Sequence, residues 1–532
     1  MMVAVEDGSR GCQEEECSVV EIDDSSRRIG AIAAVAVKNW GFRKPRSQPS
    51  LQPWDLFSKL TNPLLFGVLL LVVSLFEVSE SGFTVKTLPG FPGNLPFNLE
   101  TGYIKVGESN DIQYFYYFVE SEGNPKEGPV ALFLMPLCIK WVFITSLFFT
   151  TPSPFTINYV NSTLEKQMLE INPHSWTKAA NIIFLDQPAG TGFSYAKNPE
   201  AYITNDTFAT KHAYHFLKKW LVDHPKFLNN PFYVGADSYA GIIAPIIVHE
   251  IYNGNEVGEG PHVNIKGYVS GNPGTDAHKE YNSRIQYAHR MALLSDTIYK
   301  SVKENCHGEY LNVDPNNTLC INDLQLVNKC LGRIQTDNIL ENSCEIPNAI
   351  RSDIFIRELR DVDNPVVHIS SLHQVQKQGC RSDNYLYTAP WANRKEVREA
   401  LHIHEEFNET EWLLCNETLA FYIDKPPISY THDVLSVVPY HQQLTHKKCR
   451  ALVYSSGDHD MIVPYLSTMN WVESLGLLTV NDWRPWFVNK QVAGLIHHKI
   501  FKPPLQLDIC NCKGEKFSLL KTSYVSIVPR KL

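Results

Sequence analysis

The 532-residue chain has no C-x-x-C motif beside a matching pair or a pair of histidines, so nothing in it reads as a zinc site. It has no long run of like charge either. Its 57 acidic and 48 basic side chains leave a net charge of −9, spread too thinly for a nucleic-acid-binding surface. No repeat of solenoid length is present, and no apolar run reaches the about 20 residues that a membrane-spanning helix needs. The strict G-x-S-x-G pattern is also missing. What remains is a globular chain whose 44% hydrophobic residues are ample for a core. Its length fits one large catalytic domain with insertions or two to three smaller domains.

The longest apolar run, Leu64 to Phe76, has the length of a signal-peptide core and lies between Lys59 and Ser79-Glu80-Ser81-Gly82. About sixty residues precede it, whereas a whole signal peptide takes only about 15 to 30. Residues 61–81 therefore read either as a signal peptide whose true start lies later or as a signal-anchor. Residues 1–60, charged and without periodicity, read as a disordered extension or a misassigned start. No stable membrane span is expected after cleavage. N-x-S/T sequons at Asn161, Asn205, Asn316, Asn408 and Asn416 agree with passage through the secretory route. In that setting twelve cysteines suggest disulfides, and the cluster from Cys306 to Cys380 reads as a stapled insertion. The alternative is that they are reduced and buried.

One run carries chemistry. Phe232-Tyr233-Val234-Gly235-Ala236-Asp237 is strand-like, and it passes through Ser238-Tyr239-Ala240-Gly241 straight into the helix-like Ile242 to Ile247. A serine hydroxyl is a weak nucleophile at neutral pH. It needs a sharp strand-to-helix turn to expose its oxygen, a base to take its proton and backbone donors for the oxyanion. Ala236, Ala240 and Gly241 are small enough to permit that turn. A rival, Ser194, follows its strand Asn181 to Asp186 only after a loop rich in Pro and Gly, so Ser238 is the preferred nucleophile.

Residues Gly102 to Val106 and Ile112 to Val119 read as a hairpin, and Val130 to Leu134 as a buried strand. Further strands are expected at Asn181 to Leu185, Pro231 to Val234, Ile265 to Ser270 and Ala451 to Tyr454, with helices such as Phe208 to Val222 between them. Strands alternating with helices predict an α/β fold with a mainly parallel central sheet and helices on both faces. The Cys-rich stretch of about 293–380 breaks the rhythm and reads as a cap over the strand ends, where such sheets place their ligand crevice. Pro136 to Phe155 is apolar and without clear turn chemistry, leaving helix, strand and non-native insertion open.

These pieces together resemble the plant serine carboxypeptidase-like family, relatives of the secreted serine carboxypeptidases with an α/β-hydrolase fold. The resemblance covers about residues 82–135 and 156–494. It rests on VKTLPGFPGNLPFNLETGYIKV, LDQPAGTGFSY, GADSYAG, GYVSGNPGTD, YNSRIQYAHRMALLSD, YSSGDHDMIVP and DWRPW in that order. It implies Ser238 as nucleophile, the Tyr239 N–H as an oxyanion donor and Asp460, in Gly457-Asp458-His459-Asp460, as the triad acid. On residue type alone, Asp458 and Asp460 would read as ordinary turn residues. The resemblance also implies disulfides Cys306 to Cys320 and Cys344 to Cys380, with Cys415 left for Cys138. Neither a metal nor a cofactor is implied.

Two departures stand against it. Where the family has a Gly-Gly-Pro-Gly-Cys-Ser type loop, this chain has Met135-Pro136-Leu137-Cys138-Ile139-Lys140, without the glycines that bring an oxyanion amide close. After Asp460 the only histidines are His497 and His498, too early for the family's Gly-Gly-His turn, and they read as surface residues. Residues 495–532 show no family motif and read as an atypical tail. In the family's peptidases a Glu usually precedes the nucleophile and helps to bind the peptide carboxylate. Asp237 stands here, as in many acyltransferase-like members. The expectation is an acyltransferase using glucose esters through an acyl-serine, impaired in this chain, in the vacuole or outside the cell. A serine-type carboxypeptidase acting on peptides and a noncatalytic glycoprotein of the same fold are the alternatives.

Overall fold

The computed structural model describes residues 82–134, 152–341, 387–407, 410–413, 430–455, 459–488, 490–500 and 507–512. Eleven strands form one row: β1 (Phe83–Val85), β2 (Leu99–Val106), β3 (Ile112–Val119), β4 (Val130–Leu134), β5 (Asn181–Leu185), β6 (Phe232–Asp237), β7 (Ile265–Gly271), β8 (Arg450–Ser455), β9 (Leu478–Val488), β10 (Gln491–Ile500) and β11 (Leu507–Cys512). Their spatial order is β1-β2-β3-β5-β4-β6-β7-β8-β11-β10-β9. The stretch from β5 to β11 is parallel throughout, and antiparallel ribbons flank it on each side. The expected α/β-hydrolase fold with a mainly parallel sheet is therefore present.

Strand alternation explains how one sheet feeds two cores. Along β3, Tyr114, Tyr116 and Phe118 enter one apolar layer while Phe115, Tyr117 and Val119 enter the other. The first layer is covered by α1 (Asp206–Asp223) and α2 (Ala240–Val257), and the second by short helices at Thr388–Ala392 and Lys395–Ala400. The side chain of Asn205 caps α1, accepting the Phe208 N–H at 2.7 Å, and Asp206 adds an acid to the positive end of the helix.

Between β7 and β8 the chain builds α3 (Ala277–Arg290), α4 (Asp296–Cys306) and α5 (Thr318–Leu331), which share a third apolar cluster. Cys306 and Cys320 join α4 to α5 through a disulfide with 14 residues of sequence separation, as the resemblance implied. Cys330 is free and exposed. Cys138, Cys344, Cys380 and Cys415 lie outside the described residues, as do Asn408, Asn416, residues 1–81 and residues 136–151 of the segment Pro136 to Phe155. The last residue of that segment, Phe155, begins a short strand, Phe155–Ile157, paired with Leu169–Ile171.

Candidate active site

The strand β6 runs straight into Ser238, which takes φ 56°, and α2 starts two residues later. That left-handed conformation costs a non-glycine residue of order 1–3 kcal/mol and persists only where the surroundings over-determine it. Here they do. The Ser238 N–H donates to Gly271 O at 2.8 Å, and Ser238 O accepts the N–H groups of Gly241 and Gly274 at 3.0 and 2.8 Å. The loop Asn272-Pro273-Gly274 approaches so closely that a Cβ on Gly241 would lie 2.4 Å from Pro273 Cβ, which explains the glycine there. Glu280 secures the far end of this loop, its buried carboxylate accepting the amides of Thr275 and Asp276 at 2.5 and 3.0 Å. Burial pushes its pKa up against the pull of those amides.

Ser194 is committed to structural bonds. It is fully buried, its Oγ donates to Asp186 O at 2.6 Å and accepts the Phe115 N–H at 2.7 Å. That hydroxyl stitches the loop after β5 onto β3.

The backbone N–H groups of Tyr239 and Ala240, at the start of α2, donate to no acceptor among the described residues. Asp237 and Ser238 are both buried, each 7% exposed.

Asp460, fully buried, follows β8. Its Oδ1 accepts the N–H groups of Ile462 and Val463 at 2.8 and 3.1 Å, and its Oδ2 accepts the side-chain amide of Asn272. The Arg284 guanidinium donates to Ile462 O at 3.0 Å and feels the Asp460 charge, although burial is the larger influence and lowers its pKa. Residues of the insertion reach this point too: Met461 N–H donates to Thr336 O, and Ile339 N–H to His459 O, both at 2.9 Å. Asn272, which the sequence reading missed, thus links the elbow of Ser238 to the carboxylate of Asp460. Its one sequence signal was an asparagine before proline in a strand-end turn, a residue that tolerates the left-handed region it occupies at φ 37°.

His497 is not a surface residue, contrary to the sequence reading. It is 7% exposed, with its ring 4.9 Å from that of Trp483 and its pKa lowered by burial and then by Lys499. Register places it away from Ser238. His497 pairs with Ile509, Ile509 with Val453, Val453 with Ser270, and Ser270 with Ala236. Four strand spacings separate His497 from β6, about 19 Å at roughly 4.8 Å each. His498 stands on the same strand, opposite Asp508.

Residues 491–500 and 507–512, largely beyond the family-like motifs, are strands of the central sheet. β11 lies parallel to β8, so both run toward the same end of the sheet. In α/β-hydrolase chain order the base follows the acid. The sequence after β11 reads Lys513-Gly514-Glu515-Lys516 and contains no histidine.

The family profile described as serine carboxypeptidase matches residues 89–507. The chain is 41% identical over 426 residues to serine carboxypeptidase-like 17 of Arabidopsis thaliana, covering 80% of this chain and 87% of that one. It is 40% identical over 436 residues to serine carboxypeptidase-like 19 of the same plant, covering 81% and 90%. Among solved structures, a prohormone-processing carboxypeptidase of Saccharomyces cerevisiae superposes with a TM-score of 0.58 at 17% identity, over 84% of this chain and 94% of that one, a likeness of fold.

Proposed function

Because the chain belongs to the serine carboxypeptidase family, we propose that Ser238 is an acyl-accepting nucleophile and that the protein is an acyltransferase of low turnover. The Ser238 oxygen forms an ester with the acyl carbon of a 1-O-acylglucose, and glucose leaves with the serine proton. An alcohol or amine acceptor then attacks that ester, and its own proton returns to the serine. The observation that carries this reading is the elbow. Ser238 is held at φ 56° at the end of β6, beside the uncommitted N–H of Tyr239, where an oxyanion would be stabilised. Asp237, with a side chain shorter than the family peptidases' Glu, favours acyl transfer over peptide cleavage. Asp460 is the acid that would orient an imidazole.

Low turnover follows from what the chain lacks. Removing a member of a Ser-His-Asp triad leaves only the catalysis of binding and the oxyanion hole. The position of His497, four strands from Ser238, also favours a second reading, a noncatalytic glycoprotein with a retained fold. Under either reading the protein enters the secretory route, its mature chain starting near Ser79 to Thr84, with glycans on the five sequons. No helix among the described residues is long and apolar enough to cross a membrane.

The test compares the chain as it stands with one carrying a family-type glycine loop at 135–151 and a histidine turn after Cys512. Substrates are hydroxycinnamoyl or galloyl glucose esters and blocked dipeptides. Gain of acyl transfer in the grafted chain supports the proposal. Full activity of the unmodified chain removes the impairment, and a graft that prefers peptides removes the acyltransferase reading.

A further inference from the structure

Asp206 is the first residue of α1 and is fully buried, a costly place for a carboxylate unless it is well supplied with donors. A small parallel pairing, Tyr430 with Thr204 and Thr431 with Asn205, brings a distant part of the chain against it. Its Oδ1 receives the Tyr430 hydroxyl at 2.7 Å and its Oδ2 the Val434 N–H at 3.1 Å. The third donor is the hydroxyl of Tyr239, the residue immediately after the nucleophile.

The protons can be assigned by counting. Both phenols donate to Asp206 Oδ1. Tyr239 has then used its single hydrogen, and His432 Nδ1, which meets the same phenol oxygen, must donate to it. The Tyr239 ring is thereby held at its far end from two sides, by a carboxylate below and an imidazole N–H beside it, with the two rings 4.9 Å apart. Burial, and then the Asp206 charge, push the Tyr239 pKa well up, which keeps the phenol protonated and donating.

We propose that Asp206 and His432 are positioning residues that, through the Tyr239 phenol, fix the orientation of the Ser238–Tyr239 peptide and so aim the Tyr239 N–H at the oxyanion. This rests on the reading of that N–H as the oxyanion donor. Two rotations set the peptide plane, Ser238 ψ and Tyr239 φ, and Ser238 sits in a backbone region it would leave if released. Gly271, Gly241 and Gly274 hold the serine's own N–H and carbonyl. The serine carbonyl is the oxygen of this same planar peptide, so the Tyr239 side chain acts together with Gly241 and Gly274, restraining the peptide at the Tyr239 Cα.

The experiment measures inactivation of the full chain by a fluorophosphonate, separating kinact from KI, together with crystal structures of the same proteins. Tyr239→Phe keeps the ring and loses both hydrogen bonds, and Asp206→Asn weakens the anchor from the other side. Expected for Tyr239→Phe is a fall in kinact of about 10- to 1,000-fold, the upper end matching complete loss of an oxyanion donor, with KI unchanged. The Ser238–Tyr239 peptide should also turn away from its wild-type orientation. A kinact within twofold of wild type, or a fall with the Ser238–Tyr239 peptide in its wild-type orientation, overturns the proposal. If the wild type does not react at all, the acyl-serine reading fails instead. The crystal structure of Tyr239→Phe then decides alone, a turned peptide upholding the anchor and an unmoved one refuting it.

Discussion

Asn272 donates its side-chain amide to Asp460 from a backbone held at φ 37°, while the carbonyl of the preceding Gly271 accepts the N–H of Ser238. One turn at the end of β7 thus holds both the nucleophile and the acid. Replacing Asn272 by Leu removes a donor from a buried carboxylate and forces a branched side chain into the left-handed region. A loss of about 2–4 kcal/mol in denaturant unfolding is expected, from about 1–3 for the missing partner and about 1 for the backbone. Asn272→Gly keeps the backbone freedom and should be the milder change by about 1 kcal/mol.

The two serines separate by what each substitution disturbs. Ser194→Ala removes the acceptor of the buried Phe115 N–H and should cost about 1–3 kcal/mol while leaving fluorophosphonate labelling intact. Ser238→Ala should abolish labelling. Ser238→Gly should also abolish it, yet unfold at higher denaturant than Ser238→Ala by about 1 kcal/mol, because glycine accepts φ 56° without strain. Labelling of Ser238→Ala at the wild-type rate would reassign the nucleophile.

Acid should destabilise the fold through His441. This residue is buried, bonded to the Tyr268 hydroxyl and stacked on Trp471 at 4.5 Å, and burial lowers its pKa from 6.5 to about 3. The unfolded state therefore binds a proton that the folded state refuses. Stability falls as pH drops below about 6.5 and stops falling near pH 3, and above pH 6.5 the group has no effect. Between pH 7 and pH 5 the loss is about 2 kcal/mol. In His441→Phe the unfolding midpoint should depend less on pH over that range. An unchanged pH slope in the variant would remove His441 as the cause.

The disulfide between Cys306 and Cys320 closes a short loop, for which chain-entropy reasoning gives about 3 kcal/mol. The double alanine variant should unfold earlier by that order in denaturant titration. The excess exchange of amide hydrogens at low denaturant should be greatest in α4 and α5, which the disulfide joins, and should spread no further than the cluster they share with α3, Met461 and Leu466.

How much of this was legible in the sequence depends on the range of the interaction. The strands β3 to β8 were readable because alternating or continuous apolar residues specify them locally, and the Ser238 elbow because small residues flank an abrupt change of period. Asp206 carried no local sign of its partners, since Tyr430 and Val434 lie more than 200 residues away in sequence and an aspartate after a capping asparagine reads as ordinary helix punctuation. His497 was misread because two adjacent histidines past the last family-like motif suggest exposure, whereas its burial comes with Trp483 on the adjoining strand. β11 lacked a motif, and only pairing with β8 shows its place.

That last strand has a bearing on synthesis. β8 is an interior strand whose neighbour on one side, β7, is made long before it, while its neighbour on the other side comes from residues 507–512. During translation the sheet therefore waits with one open edge until residues 507–512 have emerged. Any product stopping short of Leu507 presents the unpaired N–H and carbonyl groups of Arg450 to Ser455 to its surroundings. Such an edge invites pairing with another nascent copy, so loss of residues 507–512 is a hazard of aggregation before it is a loss of chemistry.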